Sequence, residues 1–169
     1  KYGNFILTVL ILVFGAFALN NGWKWWQARQ ANESVVVYER LDAAIKQGDL
    51  DLMGQIQNTL TKEHAGSPYA QRGALLAAKA YFDKGQLNEA KSALQWAVEE
   101  AKLDEYAATA RLMLSAILIE QSEFEAAKDA LSKVPTGFEG LFHDRLGGLA
   151  LVQKDVAAAR KEYELALST

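Results

Sequence analysis

The residues that could carry acid–base or metal chemistry are few and scattered along the chain. Among 169 residues there are two histidines, His64 and His143, and no cysteine. Neither histidine has a second ligand-type side chain at the spacing of a metal site. We expect His64 to be a polar residue at a helix C-terminus. His143, which precedes Asp144, is expected to make surface contacts rather than to form a catalytic pair.

The other carboxylate and glycine pairs also have structural interpretations. Glu99–Glu100 and Asp104–Glu105 lie where one helix is predicted to end and the next to begin, so a solvated surface explains them. Gly147–Gly148 is expected to allow close packing against the preceding helix pair. The sequence contains no nucleophile elbow, zinc-protease motif or phosphate loop. We therefore predict that the protein is not an enzyme and binds no metal or other cofactor.

Charge and composition favour an acidic, all-α domain beyond residue 31. All 21 Asp and Glu residues lie there, with 15 of the 18 Lys and Arg residues, which gives residues 32–169 a net charge of −6. Such a domain repels phosphate backbones, so nucleic acid is not an expected partner. Helix-forming residues dominate, only Pro68 and Pro135 interrupt them, and no long alternation of apolar and polar residues predicts strands.

The stretch before residue 20 is apolar on all sides, and only Thr8 is polar between Phe5 and Leu19. The 18 residues from Tyr2 to Leu19 would span about 27 Å as a helix, close to the roughly 30 Å of a bilayer core. A buried core helix is usually apolar on part of its circumference, and a signal peptide would need a small-x-small cleavage site. We therefore predict a transmembrane helix. Its predicted membrane residues are Phe5, Ile6, Leu7, Val9, Leu10, Ile11, Leu12, Val13, Phe14, Phe17 and Leu19.

Aromatic residues flank this span and mark its predicted ends. Amphipathic rings settle at the level of the lipid headgroups. The predicted interface residues are Tyr2, Trp23, Trp25 and Trp26. We assign residues 1–31 to the anchor with its Trp-rich exit, and residues 32–169 to a separate domain. Because no proline lies before Pro68, one helix is predicted from about residue 4 to about residue 46, with its weakest point at Asn20–Gly22.

The charges beside the span do not fix its orientation. Lys1 is the one basic residue before it, against Lys24, Arg29 and Arg40 after it, which by the positive-inside rule favours a cytoplasmic C-terminal part. The chain begins with Lys1 rather than Met, so we expect further residues upstream that would change this count.

A repeating pattern runs through residues 32–169. "YFDKGQLNEAKSALQWAV" and the later "LIEQSEFEAAKDALSKV" and "ALVQKDVAAARKEYELAL" share a small residue at Ala90, Ala127 and Ala159, and Met53 holds the same place in an earlier, degenerate unit. The pattern resembles the tetratricopeptide repeat, a helix–turn–helix unit of about 34 residues. It predicts an α-solenoid of about four helix pairs. In units three and four, Ser122 and Lys154 replace the turn glycine.

The resemblance implies a binding groove lined by the first helix of each pair. This groove lacks the set of Lys and Asn residues with which some tetratricopeptide arrays bind the C-termini of chaperones. The alternative is that several of these residues are core, covered by the anchor-side helix or by a missing C-terminal helix. The groove positions carried over are Tyr38, Asp42, Leu75, Lys79, Phe82, Leu112, Ala116, Ile119, Asp144, Gly148 and Leu151.

The order of anchor, Trp-rich exit and repeats points to one family of tetratricopeptide-repeat proteins. "KYGNFILTVLILVFGAFALNNGWKWWQARQ" and "GALLAAKAYFDKGQLNEAKSAL" are similar to the YfgM-like family, an ancillary subunit of the bacterial SecYEG translocon. That resemblance implies a single-pass inner-membrane protein with a cytoplasmic N-terminus and a periplasmic repeat domain. It also implies two partners, the SecYEG translocon and a membrane-anchored periplasmic chaperone of the PpiD type. A cytosol-facing receptor for targeting signals or chaperone tails remains the alternative.

Overall fold

The computed structural model describes residues 14, 15, 17, 18, 20–22 and 33–169. Residues 33–169 form four consecutive helix pairs, which confirms the predicted number of repeats. We number them as repeats one to four. The helices are α1 (33–47), α2 (Leu50–Glu63), α3 (Pro68–Asp83), α4 (Leu87–Glu100), α5 (Asp104–Glu120), α6 (Phe124–Ala130), α7 (Glu139–Val152) and α8 (Val156–Ser168).

Most of the predicted membrane span lies outside the described residues. Of the eleven predicted membrane residues, Phe14 and Phe17 are described, and both are helical and exposed. The other nine and the interface residues Tyr2, Trp23, Trp25 and Trp26 fall outside. Among the helices in the described part of the chain, none is long and apolar enough to cross a membrane. The predicted helix from residue 4 to residue 46 is helical at 33–47 and at the described positions between 14 and 22.

The four turns between paired helices share one backbone conformation. Gly48 and Gly85 have positive φ angles of 73° and 74°, and Ser122 and Lys154 have φ angles of 60° and 64°. Glycine reaches this left-handed region without steric cost, whereas Ser and Lys do not. The backbone amides after the turns bond back to the first helices, as in Gln86 N to Tyr81 O at 2.9 Å. The turns therefore confirm the predicted register in all four repeats.

Several helices begin at side-chain caps. Asp49 accepts a hydrogen bond from Leu52 N at 2.9 Å, and Asp155 accepts one from Ala158 N at 2.9 Å. Ser67 caps α3 by accepting a hydrogen bond from Tyr69 N, and Pro68 in the first turn has no backbone N–H that would need an acceptor. At the other end of α2, His64 is the C-terminal cap and its amide donates to Leu60 O, as the sequence predicts.

Small residues hold the helices together in the first three repeats. Ala77, Ala78, Ala90 and Ala127 are fully buried, so helices approach closely at these positions. Each of α2 to α6 packs against the next helix along the chain, and α3 also contacts α5. One main core runs from α1 to α6 and includes Leu149 of α7. Its buried side chains include Leu41, Met53, Leu60, Leu94 and Leu118.

The second helix of the third repeat is short, and the fourth repeat has few contacts with it. Helix α6 has seven residues and ends at Ala130, and Leu131 caps it while remaining buried. A loop containing Pro135 then leads to α7, which contacts α6 only slightly. A small second core of Ala108, Leu131 and Phe142 joins the fourth repeat to the third.

The prediction that Gly147–Gly148 packs against the third repeat is wrong. A Cβ at Gly147 would lie 2.8 Å from the ring of Tyr163 in α8, so the glycine allows close packing within the fourth repeat rather than against the third. The reason is that the α7 face bearing Gly147 turns towards its own partner helix, with which it forms an extensive interface.

Candidate binding groove

An apolar groove lies between α3 and α5, the first helices of repeats two and three. It has a volume of about 300 Å³ and we call it the α3–α5 groove. Its lining residues are Ala78, Lys79, Phe82, Asp83, Met113, Ala116 and Ile117. Ala78 and Ile117 are buried and form its floor, and Phe82 at its rim is 41% exposed. The groove therefore offers a large aromatic surface beside a shallow apolar floor.

Helical spacing explains why these residues meet. Lys79, Phe82 and Asp83 have the i, i+3, i+4 spacing that places side chains on one face of α3. The same spacing aligns the α5 residues Met113, Ala116 and Ile117. Because α3 and α5 contact each other, the two faces converge. Each helix carries one small residue there, Ala78 on α3 and Ala116 on α5, which leaves room between the larger side chains.

The charges at the rim neutralise each other. Lys79 Nζ lies 2.7 Å from Asp83 Oδ2, and both side chains are exposed. An exposed pair of this kind contributes only about 0–1 kcal/mol to stability, but it leaves the rim without a net charge. The groove is therefore suited to apolar side chains rather than to a carboxylate or a phosphate.

Three predicted groove residues, Lys79, Phe82 and Ala116, come together in the α3–α5 groove. The half-buried Leu75 and Ile119 pack against the main core instead. Leu112 packs against the second core. The remaining predicted positions lie in repeats one and four, away from this groove: Tyr38, Asp42, Asp144, Gly148 and Leu151.

In the first repeat, the two predicted groove residues are already engaged. The Tyr38 ring lies 5.7 Å from the ring of Tyr69, and the Arg72 guanidinium lies 5.3 Å from the Tyr38 ring centre. Asp42 pairs with Lys46, and this hydrogen bond raises the pKa of Lys46 above its ordinary value. Arg72 and Lys79, the two basic residues of α3, thus both have partners.

Sequence reasoning missed Met113, Ile117, Ala78 and Asp83. The signal for Met113 and Ile117 was present, because both lie at helical spacing from the predicted Ala116. Carrying over single family positions selected Leu112 and Ile119 instead, one residue before Met113 and two after Ile117.

The fourth repeat carries a second, larger hollow. It has a volume of about 580 Å³ and lies between the start of α7 and the end of α8. Leu141 and Leu167 at its edge are exposed, and Glu139 and Asp144 add carboxylates to its lining. The predicted residue Asp144 is part of this hollow, whereas Leu151 is exposed elsewhere on α7.

Both histidines occupy structural positions in the fold. His64 is buried at the end of α2. His143 Nδ1 lies 2.7 Å from Glu162 Oε2, so it links α7 to α8. Sequence spacing could not reveal this partner, because Glu162 lies on the second helix of the repeat. No group of three or more His, Asp or Glu residues that could hold a metal ion occurs within the described residues.

Comparison with known proteins agrees with this architecture. The profile of the tetratricopeptide repeat-like domain matches residues 1–169. The chain belongs to the tetratricopeptide repeat-like domain family. The matched range includes the apolar segment as well as the four helix pairs. A search of the curated proteins finds no match to the chain. Repeat arrays of this type present extended surfaces on which other proteins bind, and catalysis is not their usual role.

Proposed function

We propose that this protein is a non-enzymatic, membrane-anchored scaffold that uses the α3–α5 groove to bind another polypeptide. Its partners in this proposal are the SecYEG translocon and a periplasmic chaperone of the PpiD type. It holds the chaperone where secreted or outer-membrane proteins emerge. The span Phe5–Leu19 anchors it in the bacterial inner membrane, with the N-terminus in the cytoplasm and the repeats in the periplasm.

The observation that carries the proposal is the exposed aromatic rim over an apolar floor. A phenylalanine that is 41% exposed beside Met113 and Ile117 is a large apolar surface for a solvated helix. Large apolar side chains in such pockets commonly dominate the free energy of binding between proteins. The neutral Lys79–Asp83 rim adds no charge requirement. The sequence resemblance supplies the identity of the partners, and the apolar segment supports the anchor.

The binding role can be tested with substitutions on both walls of the groove. Phe82→Ser with Met113→Ser should abolish co-purification of the periplasmic chaperone from detergent extracts. Loss of one strong apolar contact, about 2 kcal/mol, weakens binding some thirtyfold. Ile119 is a poorer choice for this test because it does not line the groove, although it packs against the main core as Met113 does.

Leu52→Ser is the matched control. Leu52 is 40% exposed, nearly as much as Phe82, but it lies on α2, outside the groove. Chaperone binding should therefore survive in this variant. Undiminished binding by the folded groove variant would contradict the proposal. Equal loss in the Leu52→Ser variant would show that binding does not depend on the groove.

A second candidate is favoured by the charges beside the span. Lys24, Arg29 and Arg40 follow the apolar run, and a cytoplasmic C-terminal part would obey the positive-inside rule. The protein would then be a cytosol-facing receptor for targeting signals or chaperone tails. Reporter fusions at the C-terminus separate the two candidates. A reporter active only in the periplasm supports the scaffold at the translocon, and one active only in the cytosol supports the receptor.

A further inference from the structure

A polar cleft lies on another face of the array, between the first turns of α2 and α4. Its volume is about 510 Å³, and Asp51, Gly54, Asn58, Tyr81, Gln86 and Glu89 are among its lining residues. It shares Tyr81 and Glu89 with a neighbouring hollow of about 320 Å³. We call the two together the α2–α4 cleft. None of its residues takes part in the α3–α5 groove.

The hydroxyl of Tyr81 lies at the wall of this cleft, where no described residue forms a hydrogen bond with it. Tyr81 is 9% exposed, and its Oη lies 2.9 Å from the place that a Cβ on Gly54 would occupy. Its hydroxyl therefore reaches the backbone of α2, where Gly54 lines the same cleft. Within the described residues this hydroxyl forms no hydrogen bond to another protein atom, and its oxygen faces the open space of the cleft, although the rest of the side chain is buried.

Two carboxylates act on the same hydroxyl. Burial is the main cause of the raised pKa of Tyr81, and the negative charges of Glu89 and Asp51 raise it further. Neither carboxylate forms a hydrogen bond or an ion pair in the described part of the chain. Each lies in the first turn of a helix, where the helix dipole favours a negative charge. That position explains each carboxylate separately, and both line the same cleft as the Tyr81 hydroxyl.

We propose that the α2–α4 cleft binds an arginine side chain of a partner protein. Arginine carries five donors in a planar, permanently charged fork, and it can meet two carboxylates and a third oxygen at once. Asp51 and Glu89 supply the carboxylates, and the hydroxyl oxygen of Tyr81 is the third acceptor. Amide side chains from Asn58 and Gln86 complete a polar lining. A phosphate or another anion would be repelled.

The cleft favours a side chain over a metal ion. The described residues hold no group of three or more His, Asp or Glu residues arranged for a metal. A cleft of this size also has room for a long side chain, and hard cations bind in compact sets of oxygen ligands. This surface is separate from the proposed groove, so one partner could engage both, or two partners could bind at once.

The test uses the full-length chain in detergent with 3-fluorotyrosine at position 81. The probe is N-acetyl-arginine amide, and N-acetyl-citrulline amide is its neutral control of nearly the same shape. We expect a saturable change in the fluorine NMR signal with the arginine probe and at least tenfold weaker binding of the citrulline probe. An equal response to both probes, or no saturable response to arginine, would overturn the proposal.

Charge removal within the cleft provides the second measurement. Asp51→Asn with Glu89→Gln should weaken binding of the arginine probe at least tenfold, because both carboxylates are expected to contact the guanidinium. Both side chains are exposed and the changes preserve their shape, so the fold should survive. Glu99→Gln, at the far end of α4, is the matched control and should leave binding unchanged. Retained binding in the double variant would contradict the assignment.

Discussion

The second and fourth repeats bring their paired helices together with different small residues. In the second repeat Ala77, Ala78 and Ala90 are fully buried between the helices and their neighbours. In the fourth repeat Gly147 faces Tyr163 at a distance that leaves no room for a Cβ. Both pairs are closely packed, but the second repeat also packs well against α2 and α5, whereas α7 contacts α5 and α6 only slightly. Close pairing of two helices therefore does not ensure firm attachment to the array.

The junction before the fourth repeat accounts for this difference. The main core reaches only one buried residue of the fourth repeat, Leu149 of α7, and the second core contains three buried residues. Helix α6 is short, and the loop with Pro135 separates it from α7. Regions with few buried apolar contacts open at lower free energy than the rest of a protein. We therefore expect the fourth repeat to open before repeats two and three.

The largest effect is expected at the junction itself. Phe142 is fully buried in the second core, and Phe142→Ala should reduce the free energy of unfolding by about 3–5 kcal/mol. Hydrogen exchange should show lost protection in α7 and α8 while α3 and α4 stay protected. Phe82→Ala removes the same atoms from a partly exposed site and should change stability less. Equal loss of protection across all repeats would show that the array unfolds as one unit.

A smaller loss is expected from adding one carbon inside the fourth repeat. Gly147→Ala places a Cβ within 3 Å of the Tyr163 ring, and overpacking of this kind destabilises a core by about 1–3 kcal/mol. Gly148→Ala is the control, since its nearest neighbour would be the Tyr163 hydroxyl at 3.9 Å. That change should be neutral or stabilising by up to about 1 kcal/mol, because Ala favours helix more than Gly. Denaturant unfolding of both variants in detergent measures the difference, and equal midpoints would contradict the packing described here.

The sequence predicted the repeats well because their signals are local. Small residues at Ala90, Ala127 and Ala159 are buried, and the four turns fall where the pattern placed them. Ser122 and Lys154 adopt the glycine-like conformation even though their side chains disfavour it. The backbone conformation of these turns is therefore set by their position in the repeat and not by the conformational preference of the residue.

The sequence could not show which neighbouring helix covers each helix face. Helix α7 is apolar on several faces, so its pattern did not reveal that Gly147 meets Tyr163 rather than the third repeat. Leu75 and Ile119 have the periodicity of groove residues but pack against the main core. Whether such a side chain also lines the groove depends on how neighbouring first helices pack, which sequence periodicity does not show. The early end of α6 likewise follows from packing, since Leu131 continues the helical pattern yet caps the helix.

The smallest effect concerns the turns of the last two repeats. Lys154→Gly should relieve the left-handed strain and raise the free energy of unfolding by up to about 1 kcal/mol, partly offset by the greater freedom of glycine in the unfolded chain. Lys154→Ala keeps a Cβ and removes the charge, so it separates backbone strain from electrostatics. This variant should not raise the free energy of unfolding. Thermal unfolding of the two variants is the measurement. Similar stabilisation by Ala and Gly would mean that the turn is not strained.

The central claim is that the α3–α5 groove is where this protein holds its partner. A photo-crosslinking amino acid placed at position 82 in living cells tests it most directly, with position 52 as the control of matched exposure. We expect crosslinks from position 82 to the periplasmic chaperone or to a translocon subunit, and none of these from position 52. The same products from both positions, or no product from position 82 in a folded protein, would contradict it.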